Sequence, residues 1–199
     1  MKNLKISGSL FFFAGSIILM GIITSEAFYP SGYTTTNSEI SDLGATLPPN
    51  SVSYQPSATI FNTTMWFSGL MILVASLYQH FHFKKIIFTI PILLFGIGLL
   101  GVGFFPGDKI PYHGMSSLLT FTSGGLAAIL SFKITAAPFK YFAFVYGLIT
   151  LVVLFTAQKY IPIIGDGGTE RWVAYPVVLW LVGIGGFLLN QSNSKNQEY

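Results

Sequence analysis

The sequence predicts an all-α, polytopic integral membrane protein with six transmembrane helices and with both termini in the cytoplasm. Of the 199 residues, 52% are hydrophobic and only 9% are charged, which leaves too little polar surface to cover a water-soluble domain. The apolar residues also form long uninterrupted runs rather than one face of a helix. Because the chain has no cysteine, disulfides, thiolate metal sites and iron–sulfur clusters are excluded.

Six runs without Asp, Glu, Lys or Arg define the predicted helices: 6–25, 58–79, 86–105, 114–132, 141–158 and 172–190. Each has roughly 17 to 23 residues, enough to cross a hydrocarbon core of about 30 Å. We predict one six-helix domain over residues 1–190 and a mobile cytoplasmic tail over 191–199. A signal peptide is the alternative for the first run, but that run exceeds the usual signal core of about 7 to 15 residues.

The basic residues predict the orientation. With the N-terminus inside, only Lys109, Lys159 and Arg171 lie outside, and the seven others lie on the cytoplasmic face. Those seven are Lys2, Lys5, Lys84, Lys85, Lys133, Lys140 and Lys195. Since the basic residues are scattered at helix ends, the net charge of +3 indicates membrane topology rather than nucleic-acid binding. The predicted location is the cell membrane.

The first outer loop, residues 26–57, is long and polar, which is typical of a functional loop or a cap. Thr36 and Glu39 have capping-box spacing, and Gly44 suits a left-handed helix end. Capping does not explain Asp42, which has Ser38 one helical turn before it on the same face. We therefore expect Asp42 and Ser38 to belong to a site.

The second polar segment, residues 105–114, links the third and fourth helices. Its Pro106-Gly107-Asp108 sequence predicts a turn, and His113 falls at a helix N-terminus, where the helix dipole disfavours the protonated imidazole. A neutral His113 could act as a base or as a ligand. Its spacing to Ser116 or Ser117 fits a base–nucleophile pair, although such spacing also arises by chance and no nucleophile elbow is present.

The third segment, residues 165–171, leads into the last helix. Thr169 is a predicted N-cap, and Glu170 complements the helix dipole. Arg171 is the only arginine of the chain, and its planar fork suits a carboxylate or a phosphate. We expect Asp42 or Asp108 as its protein partner and a lipid phosphate as its ligand.

The topology brings the three segments to the outer face, where they predict one polar pocket. Its predicted catalytic residues are His113, Asp108 and Asp42, and its predicted ligand-binding residues are Ser38, Glu170 and Arg171. A divalent metal is a candidate cofactor, with Asp42, Asp108, His113 and Glu170 as the candidate ligands. The same residue types also suit an acid–base pair acting on a lipid ester or amide, or a purely structural hydrogen-bonded network.

The three polar segments also resemble segments of known membrane protein families. Residues 38–44, Pro106-Gly107-Asp108 with His113-Gly114, and Glu170-Arg171 resemble the prokaryotic membrane family called domain of unknown function 998. Residues 40–45 with Pro48-Pro49 are more distantly similar to the Frag, DRAM and Sfk group of membrane proteins, although Asn50 stands where that group has Glu. The resemblance to domain of unknown function 998 implies a fold but no activity, because that family has no established activity. The distant similarity to the Frag, DRAM and Sfk group implies a link to lipid and membrane homeostasis.

The sequence thus predicts a multi-pass membrane protein whose extracytoplasmic pocket binds a lipid headgroup or another small polar ligand. One form of this prediction is a lipid hydrolase. The alternative is a non-catalytic structural or accessory subunit of a larger membrane complex. Membrane lipids are the expected partners, and other membrane subunits or a second copy are the alternatives. An ion-coupled transporter is disfavoured because the six runs hold no carboxylate or basic side chain at depth.

Overall fold

The structure, a computed structural model, describes residues 2–194, and in this range it is built of helices and 3₁₀ turns without a strand. All six predicted helices are present, which confirms the all-α prediction. They are α1 (Lys2–Ala27), α2 (Ser57–Phe83), α3 (Ile86–Phe104), α4 (Tyr112–Leu130), α5 (Phe139–Phe155) and α6 (Ala157–Ser194), with 3₁₀ turns at Ser41–Leu43 and Ser131–Lys133.

Five of the described helices, α1 to α4 and α6, are long and apolar enough to cross a membrane. The sixth, α5, is apolar but has only 17 residues, which corresponds to about 26 Å of helix. Many large apolar side chains, such as Phe13, Met20 and Ile87, are exposed on the outside of the bundle. A surface of this kind fits lipid and not water, so the chain is an integral membrane protein.

The helices form a closed ring, because each one packs against the next along the chain and α6 packs back against α1. Glycines permit close approach at these contacts. A Cβ at Gly8 of α1 would lie 2.9 Å from the carbonyl oxygen of Gly185 in α6, and one at Gly69 of α2 equally close to that of Gly96 in α3. Small residues that let helix backbones approach are the usual packing device in membranes.

The end of α6 and its beginning both differ from the sequence prediction. Helix α6 begins at Ala157 instead of 172, so most of the predicted outer loop 159–171 is helical, and the backbone breaks only at Gly165 (φ 75°, ψ 172°). Residues 160–164 include Tyr160 and three isoleucines, and Thr156, Gln158 and Lys159 separate them from the apolar run of α5. Helix α6 also continues to Ser194, so the first part of the predicted tail 191–199 is helical, while 195–199 lie outside the described residues.

One end of the bundle carries the connections 28–56 and 105–111 together with the break at Gly165, and we call it the loop end. The loop 28–56 folds over this end, with Ile40 and Leu43 buried among core side chains. The two connections contact each other, since a Cβ at Gly107 would lie 2.1 Å from the carbonyl oxygen of Ala45. The three polar segments therefore meet at the loop end, as the topology predicted.

Candidate functional site

Arg171 connects the loop 28–56 to α6. Its side chain is only 9% exposed, and its guanidinium donates to five acceptors from three parts of the loop end: α1, the loop 28–56 and α6. Nη2 donates to Glu26 Oε1 at 2.6 Å and to the Tyr33 hydroxyl at 2.7 Å, and Nη1 donates to the carbonyl oxygens of Thr35, Ser38 and Gly167 at 2.9–3.0 Å.

The expected pairing of Arg171 with Asp42 or Asp108 is therefore wrong, and its partner is Glu26. The reason is geometric, because the C-terminal turn of α1 lies beside the N-terminal part of α6 and presents Glu26 to the guanidinium. Both terminal nitrogens of Arg171 are used in these bonds. The arrangement favours Arg171 as a structural residue over the predicted clamp for a lipid phosphate.

The glycines before Arg171 allow α6 to approach the backbone of the loop. A Cβ at Gly165 or at Gly167 would lie 2.1 Å from the carbonyl oxygen of Thr36 or of Ser38, respectively. The amide of Gly168 donates to the Thr36 carbonyl at 3.2 Å. This segment thus brings Glu170 and Arg171 against the loop.

Glu170 binds the other side of the loop. Its Oε2 accepts hydrogen bonds from the backbone amides of Ile40 and Ser41 at the start of the Ser41–Leu43 turn. Thr169 is not the predicted N-cap, because the helix resumes directly after Gly165 and the Thr169 hydroxyl donates back to the Gly165 carbonyl at 2.7 Å. The consecutive residues Glu170 and Arg171 therefore hold two different stretches of the same loop.

The turn around Asp42 is stabilised differently from the prediction. The Glu39 amide donates to Asp42 Oδ2 at 2.9 Å, so Asp42, rather than Thr36 in a capping box, satisfies the start of this turn. Gly44 has a right-handed φ of −84° and is not the predicted left-handed end. Its small size serves close packing instead, since a Cβ there would lie 2.5 Å from Asn62 Oδ1 in α2.

His113 lies in the first turn of α4 and is 6% exposed. Its Nδ1 is 2.7 Å from the carbonyl oxygen of Phe105. A carbonyl oxygen can only accept, so Nδ1 carries a proton, and Nε2 is the nitrogen that lacks one when the ring is neutral. This Nε2 faces the Ser117 hydroxyl oxygen at 3.4 Å.

Between α4, α6 and the loop 28–56 lies a cleft of about 350 Å³, which we call the loop-end cleft. The polar residues of its lining are Glu39, Ser41, His113, Ser117, Asp166, Thr169 and Glu170. The apolar residues of its lining include Leu118, Phe121, Leu154, Ile161 and Val173. No Lys or Arg lies among the residues that line it, so its only ionisable side chains are three carboxyl groups and one imidazole.

The loop-end cleft contains some of the predicted site residues but not others. His113 and Glu170 line the cleft. Three other predicted residues, Ser38, Asp42 and Arg171, do not line it and instead take part in hydrogen bonds that stabilise the loop 28–56. Asp108 points elsewhere, because the turn 106–109 leaves it partly exposed and paired with Lys109. Glu39 and Asp166 also line the cleft, and neither was among the predicted site residues, although both lie in the predicted polar segments.

The geometry gives no support to the predicted metal site. Within residues 2–194, no group of three or more His, Asp or Glu side chains could hold a metal ion. Of the four predicted ligands, only His113 and Glu170 line the same cleft.

The carboxyl groups of the loop make stability depend on pH. Partial burial, reinforced by the neighbouring Asp42 carboxylate, raises the pKa of Glu39. Since the folded state binds this proton more tightly than the unfolded state, the contribution of Glu39 to stability is complete below its unfolded pKa and is lost as pH rises towards its folded pKa.

We expect the unfolding midpoint of the protein in detergent to fall as pH rises from about 4 through this window. The Glu39→Gln variant should show a smaller fall, because its side chain does not titrate. Thermal unfolding followed at a series of pH values checks this prediction. An unchanged pH slope in Glu39→Gln would show that other groups carry the dependence.

The helices and the cleft define an all-α integral membrane protein with a mixed polar and apolar cleft at one end of its bundle. The chain belongs to the family described as Protein of unknown function (DUF998), whose model matches residues 13–186. This range includes every residue of the loop-end cleft and confirms the nearer resemblance. No curated protein and no solved structure matches the chain significantly, and the similarity to the Frag, DRAM and Sfk group stays a prediction.

Proposed function

We propose that the loop-end cleft binds an amphiphile, such as a membrane lipid, whose headgroup donates hydrogen bonds. The observation that carries this proposal is the composition of the cleft lining, which combines three carboxyl groups with a larger number of apolar side chains. Ligand sites commonly combine apolar lining with a few convergent polar groups, and about 350 Å³ is within their usual size range. Such a cleft accommodates a headgroup and the adjoining part of its chains.

The carboxyl groups of the cleft favour headgroups that donate hydrogen bonds over headgroups that are only anionic. Glu39, Asp166 and Glu170 can accept hydrogen bonds from an ammonium group or from sugar hydroxyls. An anionic phosphate alone would meet carboxyl groups without a basic residue of the cleft lining to balance them. Arg171, the residue expected to bind a phosphate, donates instead to Glu26, Tyr33 and backbone carbonyls.

The distribution of lysines supports placing the cleft on the extracytoplasmic side of the cell membrane. Six lysines of the described chain lie near the bundle end opposite the loop end: Lys2, Lys5, Lys84, Lys85, Lys133 and Lys140. Positive residues concentrate on the cytoplasmic side of membrane proteins. In this orientation both termini are cytoplasmic and the cleft faces the outer leaflet.

Native mass spectrometry with added lipids tests the proposal. We expect the protein to retain phosphatidylethanolamine, which has N–H donors, over phosphatidylcholine, which carries the same charges without them. Asp166→Asn should weaken this retention about two- to fivefold, as expected for an exposed charged contact. Asp108→Asn is the matched control, because Asp108 lies outside the cleft, and it should leave retention unchanged.

Equal retention of the two lipids, or equal loss in both variants, would contradict the proposal. The same spectra test the alternative of a non-catalytic subunit. Partner proteins bound at fixed stoichiometry, without a retained lipid, would favour that alternative.

A further inference from the structure

Ser117 and His113 lie one turn apart on α4, and both line the loop-end cleft. We propose that they form a nucleophile–base pair that hydrolyses a carboxylic ester of an amphiphile bound there. This inference rests on the proposed function, because it requires that the cleft hold such a molecule. It adds a nucleophile, a base and a substrate class to the site.

The imidazole has the protonation and orientation that a general base requires. Its Nδ1–H donates to the Phe105 carbonyl at 2.7 Å, which orients the ring and, in the neutral imidazole, makes Nε2 the basic nitrogen. The Ser117 hydroxyl lies 3.4 Å from this nitrogen. The distance is longer than the usual 2.6–3.2 Å of an active pair, and such contacts are often looser without substrate. The Phe105 carbonyl takes the place of the carboxylate that orients the base in many hydrolases.

Ser117 borders two separate cavities. One is the loop-end cleft, and the other is a cavity of about 50 Å³ inside the bundle, which Ser117 lines together with Phe95, Leu99 and other apolar side chains. In the cleft, the apolar lining residues Leu118 and Phe121 suit the acyl chain. The carboxyl groups of the cleft lining suit the headgroup that leaves as an alcohol.

Gly114 supplies a candidate donor to the oxyanion. It lines the cleft in the first turn of α4, and a Cβ at this position would meet nothing within 4 Å. Amides in the first turn of a helix have no acceptor within the helix, and the helix dipole favours negative charge there. An ester carbonyl between Ser117 and Gly114 could therefore receive a hydrogen bond as its oxygen becomes negative.

The reaction has two balanced steps. In the first, His113 Nε2 takes the proton of the Ser117 hydroxyl while its Oγ bonds to the ester carbon. The bond from that carbon to the alkoxy oxygen then breaks, and the alcohol leaves with the proton from Nε2. In the second, Nε2 takes a proton from water while the water oxygen bonds to the acyl carbon. The bond to Oγ breaks, Ser117 regains the proton, and a carboxylic acid is released.

Labelling of the full chain in detergent with a fluorophosphonate, located by peptide mass spectrometry, tests the nucleophile. We expect a covalent adduct on Ser117 in the wild-type protein and none at this position in Ser117→Ala. His113→Asn, whose amide can still donate to the Phe105 carbonyl, should slow the labelling by at least about 100-fold. Ser116→Ala is the matched control and should label at the wild-type rate, because Ser116 lies outside the lining of the cleft.

A second measurement tests the contact between His113 and residue 117 without requiring catalytic turnover. The chain has no cysteine, so Ser117→Cys introduces a single thiol whose alkylation by iodoacetamide can be followed against pH. If Nε2 faces this side chain, the midpoint of the alkylation rate should lie below about 8.5, the ordinary thiol pKa, and should rise when His113→Asn is added. Ser116→Cys should show no response to His113→Asn.

Labelling that is absent, or located on another serine, would overturn the hydrolytic pair, as would a Ser117→Cys midpoint that does not respond to His113→Asn. Retention of phosphatidylethanolamine in the native spectra would then still support the binding function. Loss of lipid retention with the fluorophosphonate adduct intact would instead contradict the proposed function and leave the reactive pair established.

Discussion

Gly165→Ala is expected to lower the free energy of unfolding by more than about 3 kcal/mol. Gly165 has φ 75° and ψ 172°, a backbone conformation that is essentially restricted to glycine. The added Cβ would also lie 2.1 Å from the carbonyl oxygen of Thr36, and the two backbones would have to separate. That separation would disturb the contacts of the loop 28–56 with α6.

Gly186→Ala is the matched control in the same helix. Gly186 is helical, and a Cβ there would meet nothing within 4 Å, so alanine should be neutral or stabilising by less than about 1 kcal/mol. Unfolding in mixed detergent micelles, measured for both variants, checks the prediction. Similar stabilities of the two variants would show that Gly165 does not require its positive φ.

Arg171→Ala is expected to destabilise the protein by about 3 kcal/mol, the lower end of the cost of removing one partner of a buried ion pair, because the Glu26 side chain is 24% exposed. The change leaves the Glu26 carboxylate without its cation and leaves the carbonyl oxygens of Thr35 and Ser38 without their donor. Because this loop also carries Glu39 and Ser41 into the cleft, lipid retention should fall together with stability.

Lys109→Ala is the control for a general loss of positive charge at the loop end. Lys109 pairs with Asp108, but its side chain is 58% exposed, and exposed pairs contribute about 0 to 1 kcal/mol. Limited proteolysis provides the second readout, since only Arg171→Ala should increase cleavage within residues 28–56. Equal effects of the two substitutions would contradict the structural role of Arg171.

The positions of the polar segments could be predicted because a transmembrane helix needs a minimum apolar length, so charged residues are confined to its ends. His113 and Glu170 could therefore be predicted as site residues, and both line the cleft. Asp108 was predicted as well, because it lies only five residues before His113. The turn at 106–109 leaves Asp108 paired with Lys109, and spacing along the chain does not show where such a turn directs a side chain.

The choice of Ser117 over Ser116 could not be predicted from the sequence. The spacing from His113 fits either serine as the partner of the imidazole. The helix phase distinguishes them, since Ser117 faces Nε2 at 3.4 Å while Ser116 lies against Gly101 of α3. Which of the two serines faces the imidazole depends on which face of α4 the neighbouring helices cover.

The all-α architecture of six apolar helices, with the polar segments at one end, could be predicted because the length of an apolar run and the reversal of direction after each helix are local properties. The pairing of Arg171 with Glu26, the binding of Glu170 to the amides of Ile40 and Ser41, and the break of α6 at Gly165 could not. Those contacts join residues about 130 or more positions apart. They depend on how the ring of helices closes between α1 and α6, which no local pattern of residues encodes.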